Sequence, residues 1–330
     1  MPIISDNILD PAIAGHERQQ QDLLHALRTS RLGHAYLFSG QSGIGKRLVA
    51  LALAKALVCE QPDDRAPCLR CRQCKMVESG VHPDVQVFSR DKSVYSAEYM
   101  RESVLDWAAR TPREGKAKAG ILLDVEFLAN ASANVFLKTL EEPPAGTYWF
   151  LLSGRSGHVL PTIRSRCLDV RFAPLKRDDV ERLVRGPLKG AVETIASERE
   201  ESSLGTDERE FLLDFAEGSP GRYMSLLRED MFAAFEIVRG AASAKPTPFD
   251  ASEKILAHLS RAEDTTQEPL RERLHLLIDL LERDAHARDG GGSSDHFRKL
   301  HGSLDANANP KLVADMLVLH HCVMPREQQT

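Results

Sequence analysis

Residues 35–58 restrict the possible fold more than any other stretch of the chain. Ala35-Tyr36-Leu37-Phe38 is a short apolar run suited to a buried strand, Gly40 opens a glycine-rich turn, and Leu48 to Val58 reads as a strong helix. Strand, tight loop and helix in that order form the opening unit of a nucleotide-binding type of α/β domain. Similar apolar runs recur at Val85-Gln86-Val87-Phe88, at 120–125 (GILLDV) and at 149–153 (WFLLS). They alternate with helical patterns at 16–31, 97–109 and 131–140. Alternating strands and helices predict a mostly parallel sheet covered on both faces. Beyond Phe172 the strand signals fade. Helical patterns continue, broken by Gly186-Pro187, Gly218-Ser219-Pro220-Gly221, Lys245-Pro246-Thr247-Pro248 and the loop at 290–294. A chain of 330 residues exceeds one hydrophobic core, so an α/β domain, a small helical domain and a C-terminal helical domain are expected.

The glycine-rich turn, Gly40-Gln41-Ser42-Gly43-Ile44-Gly45-Lys46-Arg47, fits G-x-x-x-x-G-K and fails at the next position. Gly40, Gly43 and Gly45 let the backbone curl so that N–H groups face phosphate oxygens, and Lys46 can reach a phosphate. The Ser or Thr whose hydroxyl would hold Mg²⁺ is replaced by Arg47, a fixed cation. The run ending Leu122-Leu123-Asp124 offers an acid for a metal, yet Val125 follows where a water-orienting Glu is wanted. Read as a continuous strand, Glu126 falls on the face of Asp124, one residue late. Two defects in one site predict a retained nucleotide pocket without hydrolysis, with nucleotide binding itself left open.

Cys59, Cys68, Cys71 and Cys74 place four thiols within sixteen residues. The C-x2-C turns bring sulfurs to one centre, and Cys59 at the preceding helix end closes the set. A structural Zn²⁺ fits this pattern better than an iron–sulfur cluster or free thiols. Cys322 reads as a buried apolar residue, and His320-His321 as an exposed helix end.

Net charge is -5 and the pI about 6.2, so a protein that grips DNA tightly by itself is disfavoured. That weighs against a zinc-containing DNA-binding protein. Apolar content of 42% with 28% charged residues describes an ordinary globular chain. The sequence start has no basic stretch leading into an apolar one, and no apolar run has membrane-spanning length, which predicts a cytoplasmic protein. The acidic run Glu198-Arg199-Glu200-Glu201 reads as a solvated face.

Several of these stretches together resemble one family. His34-Ala35-Tyr36-Leu37-Phe38 before the loop, the four-cysteine insert, Leu137-Lys138-Thr139-Leu140-Glu141-Glu142-Pro143-Pro144 and Ser165-Arg166-Cys167 are similar to bacterial DNA polymerase III clamp-loader subunits of the AAA+ class. The likeness covers residues 10–172 well and reaches weakly to Gly218-Ser219-Pro220-Gly221. It implies an AAA+-type α/β domain over 1–172 with a zinc module at 59–74, a small helical lid over 173–230, and a C-terminal helical collar over 231–330. The broken phosphate loop and missing Asp-Glu pair look like the delta-prime branch, a non-catalytic stator, rather than the ATP-hydrolysing motor subunits, which are the alternative. The resemblance further implies assembly with motor subunits (gamma/tau) and delta. It also implies action on a sliding clamp at primed DNA through that complex, and use of Arg166 as an arginine finger in trans. Guanidinium chemistry suits such a role, since its planar fork is always charged and matches phosphate oxygens.

Overall fold

The computed structural model describes residues 10, 13–61, 67–114, 117–199, 204–243, 248–260, 268–289 and 294–323. They fall into two compact units, one of residues 1–186 and 217–222, the other of residues 187–216 and 223–330.

The first unit is built on a five-stranded sheet, β1 (Ala35–Ser39), β2 (Val85–Phe88), β3 (Lys118–Leu122), β4 (Thr147–Ser153) and β5 (Leu168–Arg171), in the order β2-β3-β4-β1-β5. Every neighbouring pair is parallel. The helices are α1 (Glu17–Arg28), α2 (Lys46–Val58), α3 (Arg72–Glu78), α4 (Ala97–Tyr99), α5 (Asp106–Ala109), α6 (Asn130–Glu141), α7 (Pro161–Arg164) and α8 (Arg177–Arg185). A wider π turn over Met100–Leu105 joins α4 to α5, so the helix expected over 97–109 is present with a bulge in its middle.

Strand alternation explains why the strands read as unbroken apolar runs. Tyr36, Phe38, Phe150 and Leu152 enter one face with Leu23 and Leu24 of α1 and Val49 and Leu53 of α2. Ala35, Leu37, Trp149 and Leu151 enter the other with Met100, Val104, Phe136 and Leu140. Both faces are apolar, so no polar alternation survives to mark them. Burying each of these large side chains stabilises the domain by about 1.5–3 kcal/mol. Trp149, fully buried, sits edge-to-face on Phe136 at 4.9 Å. Gly120 makes room for it, because a Cβ there would lie 2.2 Å from the indole.

Two expectations fail here. The run at 120–125 is not strand to its end: β3 stops at Leu122, Asp124 turns left-handed at φ 51, and Val125–Phe127 form a 3-10 turn. Val125 is buried in the core with Leu122, and the strand-face relation between Asp124 and Glu126 does not exist. β5 carried no apolar alternation because Leu168, Asp169 and Arg171 are exposed on this edge strand.

The second unit is helical, with α9 (Lys189–Glu198), α10 (Thr206–Phe215), α12 (Met231–Ser243), α13 (Pro248–Leu259), α14 (Glu268–Asp289), α15 (Ser294–Asp305) and α16 (Pro310–Val323), while α11 (Pro220–Arg228) starts in the first unit. Arg199 is not on a solvated face. Its side chain is 14% exposed and paired to Glu208 at 2.8 Å and Asp230 at 2.5 Å. The breaks expected at 245–247 and 290–293, and the side chains of His320, His321 and Cys322, lie outside the described residues. Among the described residues no helix is long and apolar enough to cross a membrane.

Candidate functional site

β1 lies between β4 and β5, so its C-terminal end opens where the strand order reverses, the position at which open α/β sheets bind ligands. The loop from Gly40 to Gly45 curls there. Gly40, Gly43 and Gly45 all have positive φ, at 148, 77 and 104°. Gly40 N–H donates to Ser153 O across the gap to β4 (3.3 Å). Lys46 is 7% exposed and donates to Gly40 O (2.5 Å) and Gln41 O (2.7 Å). Burial pulls its pKa down to about 8, against the carboxylates of Glu126 and Asp124, which hold it up. Burial and the Glu126 charge in turn push the Asp124 carboxyl above its ordinary value.

Glu126 therefore reaches the site, by a route the sequence did not show. Its Oε1 accepts the Gly154 N–H at 2.9 Å, just past the end of β4. The second carboxylate oxygen is buried with no hydrogen-bond donor among the described residues. Ser42, Gly43, Gly45, Lys46, Arg47, Asp124 and Gly154 line part of a cavity of about 340 Å³. By residue type the loop and Lys46 suit a phosphate, with Lys46 here held on the loop carbonyls. The site does not fit Mg²⁺, since Arg47, the residue after Lys46, supplies an exposed cation in place of a hydroxyl.

A second feature missed from sequence is the segment Ser219-Pro220-Gly221-Arg222, which seats on the loop. Ser219 Oγ donates to Ser42 O (2.8 Å), and Gly221 N–H donates to Gly43 O (3.0 Å). A Cβ on Gly43 would lie 2.6 Å from Ser219 Oγ and 2.8 Å from Gly221 Cα. Gly43→Ala combines that clash with a left-handed backbone, and we expect a loss of about 2 kcal/mol or more in denaturant unfolding. An unchanged unfolding midpoint would show that the segment is not held against the loop.

The four thiols converge as expected. The sulfurs of Cys59, Cys68, Cys71 and Cys74 all lie within 4.8 Å of one another, with Cys59 and Cys71 4.0 Å apart. A tetrahedral Zn²⁺ with bonds of about 2.3 Å requires sulfurs about 3.8 Å apart, so the set fits the ion. Backbone N–H groups of Cys68, Cys71 and Cys74 point at the sulfurs of Cys59, Cys68 and Cys71 (3.4, 3.4 and 3.5 Å), an arrangement that favours thiolates. Leu69 turns left-handed at φ 58 to make the first knuckle. Burial raises the Cys71 thiol, but the Cys74 N–H and other hydrogen bonds outweigh it and bring its pKa down to about 6. Burial pushes Cys59 and Cys74 up. Gln73 donates to Glu60 within the module (3.2 Å), and the module is tied to the sheet domain by the Gln73–His82 bond (2.8 Å) and the Arg72–Glu114 ion pair.

Arg166 stands at the opposite end of the strands from the phosphate loop. It follows α7 and precedes β5, whose first residue pairs with Tyr36 near the start of β1, whereas the phosphate loop leaves the far end of β1. Four residues along β1, from Tyr36 to Gly40, separate the two ends, about 13 Å along the strand. Arg164 is tied back to Ser156 O. Ser165 Oγ donates to Thr162 O (3.2 Å) and Cys167, half-buried, has its thiol pushed up to about 12 by burial.

A parallel sheet with a glycine-rich phosphate-type loop at its switch point and a four-thiol insert after the loop helix define an α/β protein of the phosphate-loop kind. Comparison with known proteins gives the family. A family model described as DNA polymerase III, delta subunit, matches residues 15–176. The delta-prime subunit of DNA polymerase III from Escherichia coli strain K12 is 31% identical over 275 residues, 83% of this chain and 75% of that relative. The tau subunit of DNA polymerase III from Salmonella typhimurium is 39% identical over 175 residues, 52% of this chain and 26% of that relative. A gamma-subunit-related protein of DNA polymerase III from Thermotoga maritima has the same fold, with a TM-score of 0.57 at 18% identity over 91% of this chain and 99% of that one. The chain belongs to the delta-prime family of bacterial DNA polymerase III clamp-loader subunits.

Proposed function

We propose that this chain is a non-hydrolysing stator of a sliding-clamp loader that completes a neighbouring motor subunit's ATP site with Arg166. The observation supporting this reading is that Arg166 precedes β5 at the N-terminal end of the strands, whereas the chain's own phosphate loop leaves the C-terminal end of β1, about 13 Å along the strand. An arginine so placed lies away from Lys46 and Gly43 of the same chain and can serve a site brought to that end of the sheet. Its outward N–H would bind a γ-phosphate oxygen, and its charge would stabilise the charge that develops as the phosphoryl group leaves.

The remaining parts follow the family pattern. Residues 173–230 act as a lid and 231–330 as a collar through which the chain assembles with gamma/tau and delta. ATP binding in the neighbours closes the assembly on the sliding clamp, and hydrolysis releases the clamp on primed DNA. Cys59, Cys68, Cys71 and Cys74 hold a structural Zn²⁺, which leaves no position for water and supplies stability rather than chemistry. Arg47 at the metal-ligand position makes the chain's own loop a phosphate cradle without an engine. The protein works in the cytoplasm.

The test is ATP hydrolysis by the purified chain, first alone and then with motor subunits, delta, clamp and primed DNA. No turnover alone and turnover in the mixture that depends on Arg166 is the expected pair of results. Robust turnover by the chain alone would make it a motor subunit instead.

A further inference from the structure

The guanidinium of Arg166 is not free in the subunit. Its Nε donates to Glu141 Oε1 at 2.7 Å and its Nη2 donates to the same oxygen. Its Nη1 donates to Thr162 O at 2.9 Å and to Ser165 Oγ at 3.3 Å. Four of its five N–H groups are therefore directed by the chain itself, and one Nη2 N–H is left for an outside acceptor. The pair is only partly covered, with side chains 32% and 49% exposed, so solvent and a partner both have access.

Glu141 is itself held firmly at the backbone. It is the last residue of α6, a helix fixed to the sheet by Phe136 and Leu140, which are 0% and 1% exposed. The carbonyl of Leu140 bonds His34 Nε2 at 2.9 Å, and Pro143-Pro144 stop the helix one residue later. A long, flexible arginine anchored to so rigid a point loses most of its rotamer freedom before any partner arrives.

We propose that Glu141 is a positioning residue for Arg166: it fixes the direction of the guanidinium so that the arginine meets a phosphate group on a neighbouring subunit already oriented. This inference rests on the trans-arginine reading above. Ordering a side chain beforehand lowers the entropy lost when the contact forms, and a small error in placement at a reacting centre is costly in rate. Glu141 works by accepting hydrogen bonds in a fixed direction; its charge is secondary, since a negative charge beside the guanidinium weakens the pull on phosphate.

The test uses the reconstituted complex with clamp and primed DNA, comparing Glu141→Ala, Glu141→Gln, Arg166→Ala and the Glu141→Ala/Arg166→Ala double variant. Glu141→Ala is expected to lower kcat roughly threefold to tenfold while leaving KM for ATP within about twofold, as orientation is lost and the guanidinium remains. Glu141→Gln keeps an oxygen that accepts from Nε and Nη2, and is expected to restore most of the rate. In the double variant the rate should equal that of Arg166→Ala, because Glu141 has no effect without its arginine. Thermal unfolding of the free subunits should be unchanged, since the pair is half-exposed.

Native or faster turnover by Glu141→Ala, with slow turnover by Arg166→Ala, overturns the positioning role and leaves the trans arginine standing. An equal loss on adding Glu141→Ala to Arg166→Ala also overturns it, by showing that Glu141 acts elsewhere. Failure of Glu141→Gln to recover any rate does the same. Native turnover by Arg166→Ala would sink the trans-arginine reading, and the inference with it.

Discussion

Arg166→Ala should leave the subunit folded and slow ATP hydrolysis in the assembled loader, on the order of 10³-fold at the site it serves. The fold is spared because the lost contacts are a half-exposed ion pair with Glu141 and two bonds to Thr162 and Ser165. Exposed pairs of this kind contribute about 0–1 kcal/mol. The rate loss is large because a fixed positive fork is removed from charge that develops only in the transition state. Turnover of the whole complex should fall less, since other sites continue. Single-turnover hydrolysis with limiting ATP separates the two. Arg166→Lys should recover little, as an ammonium lacks the planar geometry by which Nε and Nη1 hold Glu141 and Thr162 while Nη2 reaches outward. Unchanged hydrolysis in both formats would return Arg166 to an ordinary surface ion pair.

The placement that supports this expectation was only partly legible in the sequence. Local pattern was enough for β1, the loop and α2, because a continuous apolar strand and a glycine turn are defined by neighbours in the chain. Val85–Phe88 was legible for the same reason. The end of β3 was not, since Leu123 continues the apolar run although the backbone has already left the sheet by Asp124. Contacts between distant segments were also invisible. Nothing near Glu126 announces that its carboxylate caps Gly154, and nothing near Ser219 announces that it closes over Ser42. The bond between Glu141 and Arg166 was likewise invisible, since the two are 25 residues apart. A residue's chemistry can be read locally, but its partner requires the fold.

The four-cysteine module is the opposite case, where local spacing determined nearly everything. Purified protein should carry about one Zn²⁺ per chain, and Cys71→Ser/Cys74→Ser should carry less than roughly a tenth of that by elemental analysis. Cys74 is 0% exposed and Cys71 9%, so no outside ligand can replace them. The stability change should also be large. Structural zinc in isolated small domains is worth an apparent 10–16 kcal/mol or so, because such domains have little other core. Here the module keeps its anchors, Gln73 to His82, Arg72 to Glu114, and Val77 within the sheet's core. The expected loss in denaturant unfolding is therefore smaller, on the order of 3 kcal/mol. Cys167→Ala provides the control. Its sulfur is half-buried against the core of the other sheet face, outside the thiol cluster, so metal content should stay at the native value. Iron in place of zinc, with visible absorbance, would replace the ion while keeping its ligands. Full metal content in the double cysteine variant would remove the site altogether, and α3 would then have to be held by Gln73, Val77 and Arg72 alone.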